Sequence, residues 1–329
     1  MKRYILPFVA LVLLFFSMSC TTKRTAPVKS TIGDPYDMLI MCDDAVWSGE
    51  LATAVCDLVE EDIEGLTRPQ AHFDIVKQIE PGEASELDKK YGNIFILSIN
   101  PSVGEPTMEV IRNRYAYPQT IVVVSAGNQA SATEFITASA LDIRDVFETA
   151  RRKQSNNYYA GHPADQLIED FKQHTGLDML IPANFYKATT RDKELLWYIR
   201  DYPNKAQYIF AFSYPYTDAD DLTAERLMRT LDNRLATISS KGAVGSYMGV
   251  NENGPAVVRD IKIGNREWVE LRGWWEVNND FMGGPFVSFS TLDEASQQIT
   301  TVMFAIYAPE DPQRNLLREL EYLIYTTAE

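Results

Sequence analysis

The sequence predicts an α/β module followed by a mainly antiparallel α+β domain. Two continuous apolar runs, Asn93 to Ile99 and Thr120 to Ser125, suit strands buried on both faces. Ahead of them, a strand-like run and a helical stripe alternate. In the second half strand runs dominate, and Gly264-Asn265 between two of them is a two-residue hairpin signal of type II′. At 329 residues the chain exceeds one modest core. Two domains of roughly 100–200 residues each are therefore expected.

Asp37 to Cys42 reads as the first strand. Trp47 to Glu64 reads as a helix, because Ala52, Val55, Cys56, Val59 and Ile63 fall on one stripe. His72 to Ile79 alternates, with Phe73, Ile75 and Ile79 opposite Asp74 and Gln78. After the two central runs, Ala132 to Ala150 reads as one amphipathic helix, closed by Arg151-Arg152-Lys153 at the negative end of its dipole. The order is β-α-β-β-β-α. The polar, Asn-rich stretch 154–159 reads as the linker between domains 35–154 and 155–329.

Beyond it, Pro163 opens a short helix that Gly176 closes. Leu177 to Ile181, Glu194 to Arg200 and Gln207 to Tyr214 read as strands. A helix follows, with Ala224, Leu227, Met228, Leu231, Leu235 and Ile238 on one face. Strands are then expected at Tyr247 to Asn251, Val257 to Ile263, Glu267 to Val277, Phe286 to Ser290 and Thr300 to Tyr307. The chain closes with a helix that has Asp311 as N-cap, Pro312 in its first position and Leu316, Leu317, Leu320 and Ile324 as its stripe.

Composition narrows the function. The 46 acidic residues exceed the 31 basic ones, for a net charge of −15. A general nucleic-acid binder needs the opposite balance. At the N-terminus a basic Lys2-Arg3 precedes the apolar run Ile5 to Phe16. That run is of secretory length and too short for a good membrane span, which needs ~17–25 residues. It ends in Ser17-Met18-Ser19-Cys20, which resembles the lipobox of bacterial lipoproteins, with Ser17 where an aliphatic residue is usual. The resemblance implies cleavage of a 1–19 signal peptide and triacylation of Cys20, ample for stable anchoring. Processing removes Lys2 and Arg3, taking −15 to −17. Thr21 is not the Asp of inner-membrane retention, and Thr22-Lys23-Arg24 lacks the acids of surface-exported lipoproteins. The resemblance thus implies the periplasmic face of the outer membrane, with outer-membrane lipid as first partner. Residues 20–34 read as a tether.

Cys42 and Cys56 are the remaining cysteines. The compartment permits a disulfide. A helix packed over its strand sits about 10 Å away axis to axis, whereas bridged Cα atoms approach to about 4.4–6.8 Å. Two small buried thiols are expected.

Two stretches carry a family resemblance. Arg272-Gly273-Trp274-Trp275-Glu276-Val277 with Asp280-Phe281-Met282-Gly283-Gly284-Pro285-Phe286 is one. Tyr307-Ala308-Pro309 with Arg314-Asn315 and the Leu-rich ending is the other. Both resemble an uncharacterised lipoprotein family of Bacteroidota known as a domain of unknown function (number 4837). That resemblance covers the mature chain and implies an outer-membrane lipoprotein and no activity. From Gly176 onward, element order and Ile181-Pro182 before aromatic strands also resemble the PsbP-like sandwich.

The candidate binding face is the outward side of the strand from Glu267: Trp268, Glu270, Arg272, Trp274 and Glu276. Aromatic plates beside fixed charges suit a glycan or an envelope protein. The competing reading is a solvent face in which Arg272 bridges two glutamates and the tryptophans shield the sheet or meet the other domain. Gly283-Gly284-Pro285 is expected to bend the chain away and leave that face open. No catalytic group is expected. Glu270 and Glu276 lie roughly 20 Å apart along a strand, beyond glycosidase range. Asp218, Asp220 and Asp221 lack the Gly and Glu of a calcium loop and read as helix N-terminal acids. His72, His162 and His174 have no zinc spacing, Ser246 is no nucleophile elbow, and Gly242, Gly245 and Gly249 lack a phosphate-loop Lys. The sequence therefore predicts a non-enzymatic structural or partner-binding envelope protein, with no cofactor or metal; glycan binding or processing is the alternative.

Overall fold

The computed structural model describes residues 29–239 and 243–328. The signal peptide and Cys20 lie outside them. The first half is a five-stranded sheet: β1 (Asp37–Met41), β2 (Asp74–Ile79), β3 (Asn93–Ile99), β4 (Thr107–Arg112) and β5 (Thr120–Ala126), in spatial order β2-β1-β3-β5-β4. β1, β2, β3 and β5 run parallel, and β4 is antiparallel to β5. The two apolar runs are the central strands, as their composition requires. Helices α1 (Gly49–Glu60), α2 (Gln129–Ala138) and α3 (Ala140–Ala160) cover one face, where Ile40, Val55, Phe95, Val122, Ile136 and Phe147 interlock. Leu39, Ile94 and Ile121 on the other face pack under Ala84 and Tyr91 of the β2–β3 connection.

The second half is an eight-stranded antiparallel sheet. After α4 (Asp165–Thr175) come β6 (Tyr186–Lys187), β7 (Leu196–Asp201), β8 (Ala206–Pro215), α5 (Ala224–Leu235), β9 (Tyr247–Val250), β10 (Val257–Ile263), β11 (Arg266–Asn278), β12 (Gly283–Asp293), β13 (Gln298–Tyr307) and α6 (Gln313–Glu321). The order is β10-β11-β12-β13-β8-β7-β6, with β9 beside β11. α5 packs on one face with Leu227, Leu231, Trp275 and Phe286. α4, α6 and the closing 3₁₀ segment Tyr322–Ala328 pack on the other, with Phe171, Trp268, Phe289 and Leu320. Ile63 and Leu66 of the first half belong to that second core. The Gly264 hairpin forms with φ +59, and Gly176 closes α4 in the left-handed region at φ +72.

Several boundaries differ from expectation. The helix expected over Ala132 to Ala150 breaks at Ser139, with α3 starting afresh at Ala140. α3 then continues through 154–159, so the expected linker, and with it the 154/155 boundary, is helix. Its polar residues persist because they are used: Asn156 Nδ2 donates to Tyr322 O at 2.9 Å, and Arg200 donates to the Tyr159 hydroxyl. α1 stops at Glu60, since Asp62 bridges Ala71 and Ile63 N donates to Gln70 O. Leu177 to Ile181 buries Leu177, Met179 and Ile181 but is not a strand. Its carbonyls and amides go instead to Ala164 N and Thr326 Oγ1. Pro312, not Asp311, caps α6. Within the expected tether, Ser30 and Ile32 are already pinned by bridges to Tyr117 and Tyr91. Cys42 and Cys56 are free thiols, as expected, but only Cys42 is buried and Cys56 is half-buried; burial pushes the Cys42 thiol up to about 11.

Candidate functional site

β11 presents both faces to protein. Val269, Leu271, Trp275 and Val277 enter the α5 core, as their spacing predicts. The opposite face, expected to be open, is closed. Trp268 is 1% exposed in the α6 core. Arg272 is 7% exposed and bridges two carboxylates: its Nε donates to Glu270 Oε1 at 2.7 Å, and its Nη2 lies 3.1 Å from Glu321 Oε2. Burial opposes its charge, but Glu321 and Glu270 outweigh burial and raise its pKa. Trp274 is half-buried, and its Nε1 donates to Gly65 O of the first domain at 3.0 Å. Glu276 accepts from Asn251 Nδ2 at 2.7 Å. Trp268, Glu270, Arg272 and Trp274 therefore belong to the second core and the domain seam and offer no free plate to a glycan, while Glu276 is half-buried against Asn251. Gly283 and Gly284 are not a bend. They lie in β12 opposite Glu276 and Trp275, where a Cβ on Gly284 would meet Ile306 O at 2.1 Å. Close strand approach, not flexibility, requires glycine there.

The seam continues along α6. Gln70 Oε1 of the first domain accepts from Gln313 N and Arg314 N at 2.7 and 2.8 Å, capping a helix whose own N-cap, Pro312, has no side-chain acceptor. Arg314 Nη2 reaches Asp74 Oδ2 at 2.7 Å, and Nη1 reaches Ala71 O at 2.9 Å. Arg318 Nη2 donates to Glu148 Oε1 at 2.8 Å, and His72 Nδ1 sits 2.5 Å from that oxygen. Burial would raise the Glu148 pKa, but Arg318 and His72 overcome it and hold the carboxyl at about 2. Burial lowers that of His72, against its hydrogen bond to Glu148. Three guanidinium groups, from Arg151, Arg314 and Arg318, lie 5.5, 4.7 and 5.4 Å from the Tyr36 ring centre, and the Tyr36 hydroxyl meets that of Tyr322 at 3.2 Å. This cluster has the residue types of a catalytic site. Arg314, Arg318, His72 and Glu148 pair with one another or with backbone across the seam, while Arg318 Nε and Nη1 have no hydrogen-bond partner among the described residues. Asp218 and Asp221 form a capping box on a 3₁₀ turn, so these acids end a helix as expected. His162 and His174 stand apart from His72: His162 meets Tyr158 through its carbonyl and ring, and His174 Nε2 lies 2.7 Å from Glu194 O.

An open concavity lies elsewhere among the described residues. A cleft of about 610 Å³ opens at the N-terminal ends of the parallel strands. Its walls are the 31–35 segment, the starts of β3 and β5, the end of β4 and the last half of α3. The turn after β4 is firmly built: Asn113 Oδ1 accepts from Gln119 N, and Gln119 Nε2 donates to Lys89 O and Tyr91 O at 2.7 and 2.8 Å. It presents Tyr117, 59% exposed, opposite Tyr158 of α3, 67% exposed. Arg112, Arg151 and Lys153 line the cleft, with Asp34 as the one acid among its lining residues. Arg112 donates to Thr120 Oγ1, and Arg151 donates to Gln154 Oε1. Open parallel sheets usually bind ligands at the carboxyl ends of their strands. Here those loops close on each other: Gln129 Nε2 donates to Ala45 O at 3.1 Å, and a Cβ on Gly127 would meet Val103 O at 2.6 Å. The sequence signal that could have found the cleft was the Arg151-Arg152-Lys153 run, read only as a helix terminus.

Among the described residues no helix is long and apolar enough to cross a membrane. No curated protein matches the chain. Residues 164–326 match the family model Domain of unknown function (DUF4837), and residues 31–160 match Domain of unknown function (DUF8532). Each half of the chain thus matches a different domain of unknown function, on either side of the turn that ends α3, and the family resemblance expected over the whole mature chain is found in the second half alone.

Proposed function

We propose that this protein is a lipid-anchored envelope protein, held on the periplasmic face of the outer membrane through Cys20, that binds a partner or ligand and carries out no catalysis. The observation behind the binding reading is how the charged residues are used. The groups most like a catalytic cluster, His72, Glu148 and Arg318, hold two domains together behind a closed seam. The α3 cleft is open, and Arg112, Arg151 and Lys153 line it. The anchor reading rests on Ser17-Met18-Ser19-Cys20 after a short apolar run. Metabolic labelling with palmitate and membrane fractionation test it. Wild type takes the label and partitions with outer membrane, and Cys20→Ala loses both. A Cys20→Ala protein that still partitions wholly with membranes refutes the anchor. Proteinase K on intact cells checks the orientation: a periplasm-facing protein survives.

A further inference from the structure

We propose that the α3 cleft is an anion site for a phosphate-bearing ligand, held by Arg112, Arg151 and Lys153. The inference rests on the reading that the cleft is where this protein binds. Elsewhere its buried arginines are paired with acids: Arg144 with Glu61, Arg200 with Glu319, Arg272 with Glu270, Arg314 with Asp74, and Arg318 with Glu148, whereas half-buried Arg152 donates to Thr149 Oγ1. Among the described residues the three cleft cations have no carboxylate partner. In a chain of net charge −15, acids to pair them were not scarce. Arg151 Nε is buried without a hydrogen-bond partner, so this guanidinium has donor capacity left over. Three cations against Asp34 leave an excess of positive charge that suits a phosphate monoester near neutral pH. Guanidinium forks match phosphate oxygens geometrically. Asp37, whose Oδ2 accepts from Asp34 N at 2.8 Å, stands beside the cleft wall and offsets part of this excess; exposed acids farther than roughly 8 Å are screened by salt. The cleft volume, about 610 Å³, falls among small-ligand sites. The two exposed tyrosines at the rim supply apolar surface for whatever carries the phosphate.

The route of the chain narrows the source. Thr31 to Pro35 line the cleft, so the backbone arrives there directly from the N-terminal side. The stretch from Cys20 to Lys29 spans at most about 30 Å even fully extended. An acylated Cys20 therefore keeps the cleft within that distance of the headgroup layer. A lipid phosphate and a soluble phosphorylated molecule both fit the chemistry, and the experiment separates them.

The full chain carrying Cys20→Ala, which cannot be acylated, is titrated with inorganic phosphate and with pyrophosphate at constant ionic strength. Binding is read by calorimetry and by thermal shift. In parallel it is sedimented with phosphatidylglycerol vesicles and with phosphatidylcholine vesicles. The double variant Arg112→Gln/Lys153→Gln alters exposed side chains and leaves the fold intact, as circular dichroism verifies. Phosphate or pyrophosphate binding that weakens about tenfold per cation removed supports the site. Added co-sedimentation with the anionic vesicles, lost in the same variant, identifies the source as a headgroup; its absence identifies a soluble phosphorylated ligand. Equal titration curves for parent and double variant, or no binding of either probe or vesicle, overturn the proposal. The palmitate experiment is independent of these outcomes, so a missing anchor and a missing anion site are told apart.

Discussion

Trp268, Trp274 and Trp275 lie within one strand and meet three different environments. Trp275 fills the α5 core and donates from Nε1 to Ile306 O at 3.1 Å. Trp268 fills the α6 core without a partner for its Nε1 among the described residues. Trp274 straddles the seam with one hydrogen bond to Gly65 O. Alternation along the strand separates two faces; it cannot say whether the second is wet, because that depends on what the rest of the chain lays over it. The two fully buried rings should each cost ~3–5 kcal/mol when truncated to alanine. Trp274→Ala should cost less, ~1–3 kcal/mol, for one hydrogen bond and partial burial. Urea unfolding of the three variants checks this ranking. A Trp268→Ala protein as stable as wild type would contradict its place in the core.

Elements with a strong internal pattern were legible; those stabilised from outside were not. β3 and β5 were found from apolar continuity, and α5 from its stripe. β4 was missed because an edge strand with mostly exposed side chains (Thr107–Arg112) carries no burial pattern. The two-residue β6 is too short to have one. α3 was cut short because its last turns are polar, and only the seam explains why polar residues extend a helix there. α6 depends on the other domain for its first turn. Gln70→Ala removes the acceptor for Gln313 N and Arg314 N, and replacing such a cap costs about 1 kcal/mol. Differential scanning calorimetry should show a fall of about 2–4 °C in Tm. Because Gln70 lies in the first domain, a loss localised to the second domain's helix would also demonstrate coupling across the seam.

At the scale of the whole molecule the two halves behave as one body, joined by an apolar patch and an ionic cluster. Ile63 and Leu66 enter the second core, while Glu148, His72 and Arg318 pair beside it. The cluster makes stability depend on pH. The folded pKa of His72 lies below its ordinary 6.5, so the folded state takes up fewer protons than the unfolded chain. Its contribution is therefore lost as pH falls through and below 6.5. Glu148 is held at about 2 against an ordinary 4.5, and the stability this gives is present above 4.5 and lost on the way down to 2. That second loss is worth about 3 kcal/mol. Urea midpoints should be level above about pH 6.5 and fall from there to about pH 2, first through His72 and then, below about 4.5, through Glu148. His72→Gln should flatten only the upper part of that curve, and a slope unchanged by the variant would remove His72 from the account.

The sequence by itself determined the order of most elements, the α/β character of the first half and the antiparallel character of the second, and the core faces of β11 and α5. Each of these is written locally, in residue spacing and in the conformational limits of Gly, Pro and β-branched side chains. It also placed Arg272 between two carboxylates in one of its two readings, though one partner is Glu321 and not Glu276. Only the tertiary structure decided that the Trp-rich face is closed, that 154–159 is helix, and that the open cleft lies at the N-terminal ends of the strands. Those facts depend on residues brought together from far apart: Gly65 with Trp274, Gln70 with Gln313, Tyr36 with Tyr322, Arg112 with Arg151. A period of two or of 3.6 records which way a side chain points and carries no information about what arrives to cover it.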